Sequence, residues 1–161
     1  MTIHEIKPVI DRDSTLAGAQ FADAFCIASA GYLDAREAAE RMLARNPRWV
    51  EMLLNVRNKI VAPFGLKTSG AGEPNAGGMV GIFPVLSETP QRLIAGFDDH
   101  HLDFRIVIDV APAEAGQQVT ATTLVRTHNL LGKLYLKLIM PFHRMIVRTL
   151  LRQVTGVAPG D

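Results

Sequence analysis

The stretch HLDFRIVIDVA, residues 101–111, limits the possible folds more than any other, because its side chains alternate between polar and apolar. In an extended strand, successive side chains point to opposite faces of the sheet. The odd-numbered residues from His101 to Asp109 therefore share one face, and the even-numbered residues from Leu102 to Val110 share the other. One polar and one apolar face is typical of an antiparallel sheet.

Other strands are predicted on both sides of this one. Their apolar, Thr- and Val-rich runs are bounded by Gly, Pro and Asn, the residues of turns. They cover residues 21–29, 80–88, 92–97 and 117–129. Pro84 cannot donate to a sheet ladder and predicts an edge or bulged strand. We count about five strands in successive antiparallel hairpins.

Two helices are predicted after the first of these strands. Asp34 and Glu37 form a capping-box pattern at the start of DAREAAERMLARN, residues 34–46. Asn46 as N-cap and Pro47 at the first helical position would open the second helix. Its apolar stripe consists of Trp49, Met52, Leu53, Val56 and Ile60. The following segment, about 67–78, has the composition of a flexible loop.

A long amphipathic helix is predicted over residues 130–154, with Asn129 as a candidate N-cap and Pro141 as a kink. Its apolar stripe, which we expect in the core, consists of Leu134, Leu138, Phe142, Met145 and Ile146. Its basic stripe, which we expect to be solvated, consists of Lys133, Lys137, Arg144, Arg148 and Arg152.

The length of 161 residues and the 48% of hydrophobic residues predict a single domain, 1–161, with a core of about 20–155 and a short tail, 156–161. The net charge of +1 does not favour nucleic acid, although the chain becomes basic from Arg126 onward. The one cysteine, Cys26, cannot form an intramolecular disulfide, which favours the cytoplasm. We expect no secretory signal and no membrane span.

Several stretches resemble an uncharacterised bacterial family of unknown function within the START-like (SRPBCC) helix-grip superfamily. They are FADAF, WVEMLLNVRNKIVAPFGLK, GFDDHHLDFR, TLVRTHNLLGKLYL and IMPFHR, between about residues 20 and 152. The resemblance implies an α+β fold in which a curved antiparallel sheet wraps around the C-terminal helix and encloses a cavity. A full helix-grip sheet has seven strands, so either residues 1–15 and 65–78 supply short strands or the sheet is trimmed.

The candidate ligand contacts follow from this fold. The apolar wall would come from Leu102, Phe104, Ile106, Leu124, Leu134 and Leu138. The polar contacts would come from Asp103, Arg105, His128, Tyr135 and His143, depending on which strand face is concave. Asp103, His128 and His143 are also candidates for proton transfer, but no catalytic residue is assigned. Each also has a structural alternative. Asp103 would lie on a solvated strand face, His128 would be a hydrogen-bonded structural histidine, and His143 would border the apolar stripe of the helix.

The run of acids and histidines from Asp98 to Asp103 suggests a metal site at first sight. Alternation separates it into a turn, Asp98–His100, and the start of a strand. Asp99, His101 and Asp103 share a face, but a single imidazole makes a poor zinc site. We therefore predict no metal and no cofactor.

Three functions remain open. The first is the binding of a small apolar or amphiphilic molecule in a cavity between sheet and helix. The second is a metal-free enzyme, similar to a cyclase or dehydratase, that uses Asp and His groups in the same cavity. The third is an interaction protein with a collapsed cavity. A homodimer is possible in each.

Overall fold

The computed structural model of the protein describes residues 2–64 and 77–156. Within them the chain forms seven strands and four α-helices. The strands are β1 (His4–Ile6), β2 (Phe21–Ser29), β3 (Met79–Val80), β4 (Phe83–Glu88), β5 (Arg92–Asp98), β6 (Leu102–Ala113) and β7 (Gly116–Thr127). The helices are α1 (Arg12–Leu16), α2 (Ala35–Leu43), α3 (Arg48–Val61) and α4 (Leu130–Arg152). Most of the predicted loop, 67–78, and of the predicted tail, 156–161, lies outside the described residues.

The strands form one curved, open antiparallel sheet in the order β1-β2-β7-β6-β5-β4-β3. The predicted α+β class is confirmed. The N-terminal segment supplies β1, and the predicted strand 80–88 is divided into β3 and β4, which together give seven strands. The register of β4 against β5 shifts between Val85 and Ser87, next to Pro84, as expected for a bulged strand.

The helix starts agree with the sequence in two of three cases. At α2, the Asp34 side chain accepts from the Glu37 backbone, and the Glu37 side chain accepts in return from the Asp34 backbone. At α4, Asn129 Oδ1 accepts from Gly132 N at 2.9 Å. The prediction that Asn46 caps α3 is wrong, because Pro47 itself is the N-cap and makes no side-chain cap bond.

One face of the sheet carries α2 and α4, and the main core lies between sheet and helices. The even-numbered side chains of β6 from Phe104 to Val110 contribute to it, as do those of Phe25 and Ile27 on β2. From the helices it takes the buried residues Ala35, Ala38, Ala39, Met42, Leu43, Val147, Leu150 and Leu151. The apolar side of β6 therefore faces the helices, and its polar side faces away from them.

The other face of the sheet is partly covered by the N-terminal segment. Asp11 caps α1 by accepting from Asp13 N and Ser14 N, and Leu16 at the end of α1 is buried. Leu124 is fully buried on this face, next to Arg105 in register. Residues 1–15, for which the sequence left a short strand open, supply the edge strand β1 and the start of α1.

The predicted apolar stripe of α4 is mostly exposed. Leu134, Leu138, Phe142 and Met145 are exposed and only Ile146 packs against the core, so the expectation that this stripe packs in the core is wrong for four of its five members. On α3, Met52 and Val56 are exposed, and the side chains of Leu53 and Ile60 lie outside the described ones. The sheet therefore receives a different side of α4 from the one that the stripe predicted.

Candidate functional site

A polar cluster on the face of the sheet opposite α2 and α4 gathers several predicted site residues. Asp103 is buried, with 5% of its side chain exposed. Its Oδ2 lies 2.8 Å from Nη2 of Arg126, its directly opposed neighbour on β7, and its Oδ1 lies 2.9 Å from Nε2 of His128. Arg126 also donates to the carbonyl of Ala17 at 3.0 Å. The carboxylate thus joins the ends of two strands and the segment after α1.

Arg105 belongs to the same face but has a different partner. Its Nη1 lies 2.7 Å from Oδ1 of Asp98 and also donates to the carbonyls of Phe97 and Phe104. Asp98 ends β5 and pairs in register with Asp103. The turn is therefore residues 99–101, one position later than the sequence predicted. Asp98 and Asp103 thus lie opposite each other, and each has an arginine beside it: Arg105 for Asp98 and Arg126 for Asp103.

The junction between β7 and α4 fixes the histidine that precedes β6. Asn129 uses Oδ1 to accept from Gly132 N, so its Nδ2 points to His101 and donates to Nδ1 at 2.8 Å. His101 therefore carries its proton on Nε2 in the neutral form. Gly132 is buried, and a Cβ there would lie 2.1 Å from the carbonyl oxygen of His101. Only glycine allows α4 to begin so close to the turn.

A groove on the helix-bearing face is the best candidate for a ligand site. It has a volume of about 400 Å³, and it lies between the start of β2, the end of β7 and the first half of α4. It opens to solvent rather than being enclosed. Its lining residues are Gln20, Phe21, Thr127, Lys133, Leu136, Lys137 and Met140. Phe21, Leu136 and Met140 supply apolar lining, and Lys133 and Lys137, one helical turn apart on α4, supply positive charge.

Three hydrogen bonds between Gln20 and Thr127 hold together the two strand ends that border the groove. The side-chain oxygen of Gln20 accepts from the backbone N of Thr127 at 2.7 Å and from its hydroxyl at 2.8 Å. Its amide nitrogen donates to the Thr127 carbonyl at 3.4 Å. Both polar atoms of the Gln20 side chain therefore bond to Thr127 of β7. The two lysines remain as the charged groups of the lining that a ligand can contact. Neither lysine has an ion-pair partner within residues 2–64 and 77–156.

A buried acid–base pair lies beside this groove. Nε2 of His143 on α4 lies 3.3 Å from Oδ1 and 3.2 Å from Oδ2 of Asp23 on β2. The side chain of Asp23 is 5% exposed and that of His143 is 15% exposed. Phe21, which lines the groove, meets the His143 ring edge-on with centroids 6.1 Å apart. Oδ2 of Asp23 has no hydrogen bond of good geometry within the described part of the chain.

The sequence reasoning named His143 but missed Asp23. The signal was present: Asp23 is the only charged residue of FADAFCIAS, and it has the same parity as Phe21, Phe25 and Ile27. A lone acid on the apolar side of a strand requires a partner, because burying an unpaired charge lowers the stability of the fold by roughly several kcal/mol.

The remaining predicted site residues are dispersed. Leu102 and Ile106 are buried on the helix side. Phe104 stacks there with Phe83 and Phe97, at centroid distances of 5.2 and 5.7 Å. Asp103, Arg105, His128 and Leu124 share the opposite face, so they do not meet the groove. Along α4, Tyr135 is half-buried, whereas Leu134 and Leu138 are exposed.

The shifted pKa values belong to groups away from the groove. A hydrogen bond between Arg36 and Glu88 raises the pKa of the guanidinium and lowers that of the carboxyl. The hydrogen bond to Asp109 similarly raises the pKa of Arg92. Burial raises the pKa of the Cys26 thiol, so that it stays protonated and poorly nucleophilic at neutral pH. No group of three or more His, Cys, Asp or Glu within the described ranges has the arrangement of a metal site.

Comparison with known proteins gives a family. Residues 15–150 match the model of a family described as "Protein of unknown function (DUF2867)". The chain belongs to this family. The DUF2867 match includes β2, the polar cluster, the groove and most of α4, so every site above lies inside the family's common region. No curated protein and no solved structure matches the chain.

Proposed function

We propose that this DUF2867 protein binds a small anionic amphiphile, with the apolar tail in the groove beside α4. The observation that carries the proposal is the combination of apolar lining with two lysines that have no ion-pair partner among the described residues. Leu136, Met140 and Phe21 supply the wall, and Lys133 and Lys137 supply the charge. The volume of about 400 Å³ lies within the range of about 300–1,000 Å³ usual for small-molecule sites. A carboxylate with a medium-length chain has this chemistry.

We also propose that the chain belongs to the helix-grip superfamily. The seven-stranded antiparallel sheet and the long C-terminal helix support it, and the motifs of the sequence suggested it. We also infer that the protein is bacterial and cytoplasmic. The first rests on the family resemblance, and the second rests on the single, buried, unpaired cysteine.

Calorimetric titration with laurate tests the proposal. Wild type should bind laurate, and K133Q/K137Q should bind it roughly 2- to 25-fold more weakly, since an exposed ion pair contributes about 0.2–1 kcal/mol. Affinity for uncharged 1-decanol should stay within about twofold, because the apolar wall is unchanged. Lys7→Gln, at an exposed lysine outside the groove, is the matched control.

A second variant tests the wall independently of the charges. Met140→Trp adds a large side chain to the groove lining and should weaken laurate and decanol alike, because it occupies the space that the tail needs. The proposal is wrong if wild type shows no binding of either molecule at millimolar concentration. It is also wrong if removing the lysines leaves the affinity for laurate unchanged.

A second candidate function is proton transfer at the Asp23–His143 pair. The observation that favours it is the burial of both groups beside the groove, with one Asp23 oxygen lacking a well-formed hydrogen bond. Such a pair supplies a base and an acid for the elimination of water from a β-hydroxy acid. The proton on the α-carbon would go to the pair, and the hydroxyl would leave as water.

Incubation with medium-chain β-hydroxy acids tests this second candidate, with the α,β-unsaturated product followed by its ultraviolet absorbance. His143→Gln should abolish turnover while laurate affinity stays within about twofold, because His143 does not line the groove itself. Absence of turnover by wild type across the series, or unchanged turnover by His143→Gln, rejects an enzyme of this kind.

A further inference from the structure

The outward side of α4 carries an apolar surface that is exposed in the described part of the chain. Its members follow one another at intervals of three and four residues, which places them on one side of the helix. This outward stripe consists of Leu130, Leu134, Leu138, Phe142 and Met145. Leu130 is 82% exposed and Leu138 is 63% exposed. Leucines scattered singly on a surface need no explanation, but a contiguous row marks an interaction site.

The charge of the same helix indicates what the outward stripe contacts. Across its 23 residues, α4 contains five Lys and Arg and no Asp or Glu. At about 100° per residue, Lys133, Lys137 and Arg144 lie along one flank of the outward stripe. Arg144 has a carboxylate nearby, Glu5 at 3.6 Å, and both side chains remain about half exposed. The surface is therefore apolar in the centre and cationic at one side.

We propose that the outward stripe docks α4 onto an anionic lipid bilayer, with the helix lying in the plane of the interface. An apolar row that enters the headgroup region, beside lysines and arginines that meet anionic lipid, is the chemistry of interfacial helices. The helix does not cross the bilayer: none in the described part of the chain is both long and apolar enough to do so.

A second copy of the chain fits this surface less well. An antiparallel pair of outward stripes would bring their cationic flanks to the same side, and in any pairing α4 offers no acid to compensate the Lys and Arg of the second copy. Like charges held close together are destabilising. An anionic bilayer instead supplies apolar depth and negative charge in the same place. The apolar part of the docking surface is separate from the groove, because Phe142, Leu138 and Leu134 do not line it, whereas Lys133 and Lys137 border both.

Co-sedimentation with vesicles tests the docking. The full chain should pellet with vesicles of phosphatidylcholine and phosphatidylserine mixed 7:3, remain in solution with pure phosphatidylcholine, and dissociate as salt rises, because screening weakens the attraction of the lysines. Lys133→Gln should weaken partitioning about fivefold. Leu138→Ser/Phe142→Ser should weaken partitioning at least about tenfold, because two apolar side chains that would enter the bilayer are lost.

The controls separate docking from loss of structure. Leu86→Ser changes an apolar residue on β4 that is also exposed, and it should partition like wild type. The double serine variant should melt within a few degrees of wild type, since exposed substitutions change stability by only about 0.5 kcal/mol. Phe142→Trp in a Trp49→Phe background should show blue-shifted fluorescence on the mixed vesicles, as a tryptophan that leaves water does.

Three results would overturn the proposal. The first is equal pelleting of the double serine variant and wild type, and the second is no pelleting of either. The third is a wild-type dimer in sedimentation velocity that Leu138→Ser/Phe142→Ser converts to monomer without any vesicle binding, which would assign the outward stripe to a second copy.

Discussion

Asp103 is a buried carboxylate whose partners remain partly in water. Its side chain is 5% exposed, whereas those of Arg126 and His128 are 39% and 33% exposed. Removal of its charge therefore leaves cations that water can solvate, and the cost is smaller than for a fully buried pair. The group holds the ends of β6 and β7 together and belongs to the face away from the groove.

Substitution of Asp103 by Asn should accordingly lower stability without affecting the groove. We expect a loss of about 1–3 kcal/mol in denaturant unfolding, since hydrogen bonds to charged groups are each worth roughly 1.5–3 kcal/mol and Asn keeps one acceptor. Laurate affinity, measured by titration calorimetry, should stay within about twofold. A large loss of affinity in a variant that is still folded would return Asp103 to the ligand site.

The Arg36–Glu88 contact ties α2 to β4 and gives stability a dependence on pH. Arg36 lowers the pKa of Glu88 below its ordinary value of 4.5. A depressed carboxyl pKa stabilises the fold above the unfolded value, and the contribution is lost as pH falls through the folded value. Both groups are partly exposed, so the effect at neutral pH should be within about 1 kcal/mol.

Glu88→Gln tests this contact through the pH dependence of the midpoint of thermal unfolding. At pH 7 the variant should melt below wild type. The difference should shrink as pH falls from 5 toward 3, because the wild-type carboxyl becomes protonated and loses its attraction to Arg36. A difference that is constant across this range would show that the charge of Glu88 contributes nothing.

At the scale of elements, α4 has two apolar sides with different tasks. Val147, Leu150 and Leu151 are buried against the sheet, whereas Leu138 and Phe142 of the outward stripe are exposed. Both sides obey the helical period, so the period alone does not distinguish them. The choice depends on how the helix meets the strands, which involves contacts far apart in sequence.

A pair of alanine substitutions distinguishes the two sides of the helix. Leu151→Ala should cost about 2–5 kcal/mol in urea unfolding, because it leaves a cavity in the core. Leu138→Ala should change stability by less than about 0.5 kcal/mol, as substitutions on the surface do. Equal and large losses would show that the outward stripe is packed after all.

Local patterns predicted the elements well, and contacts distant in sequence were predicted poorly. The sequence predicted β2, the β6–β7 hairpin and the caps at Asp34 and Asn129, because each depends on neighbouring residues. It did not bring Asp23 to His143, which are 120 positions apart. Nor did it place Arg126 beside Asp103, since that pairing requires the register of β6 against β7.

At the scale of the whole molecule, the two faces of the sheet carry different chemistry. One face holds Asp103 between Arg126 and His128, with Arg105 paired to Asp98 beside them, and these contacts have the character of a structural network. The other face holds the groove, with the Asp23–His143 pair beside it. Five apolar residues of the outward stripe form a third surface, on the side of α4 remote from the sheet.

Titration of the ¹⁵N-labelled protein with laurate shows directly which face receives the ligand. The amides of Gln20, Phe21, Thr127 and the first half of α4 should shift in a saturable way, because these residues surround the groove. The amides of Arg105 and Ala17, on the opposite face, should stay unchanged. Shifts that cluster around Asp103 and His128, or no saturable shift at millimolar laurate, would contradict a ligand site between the sheet and α4.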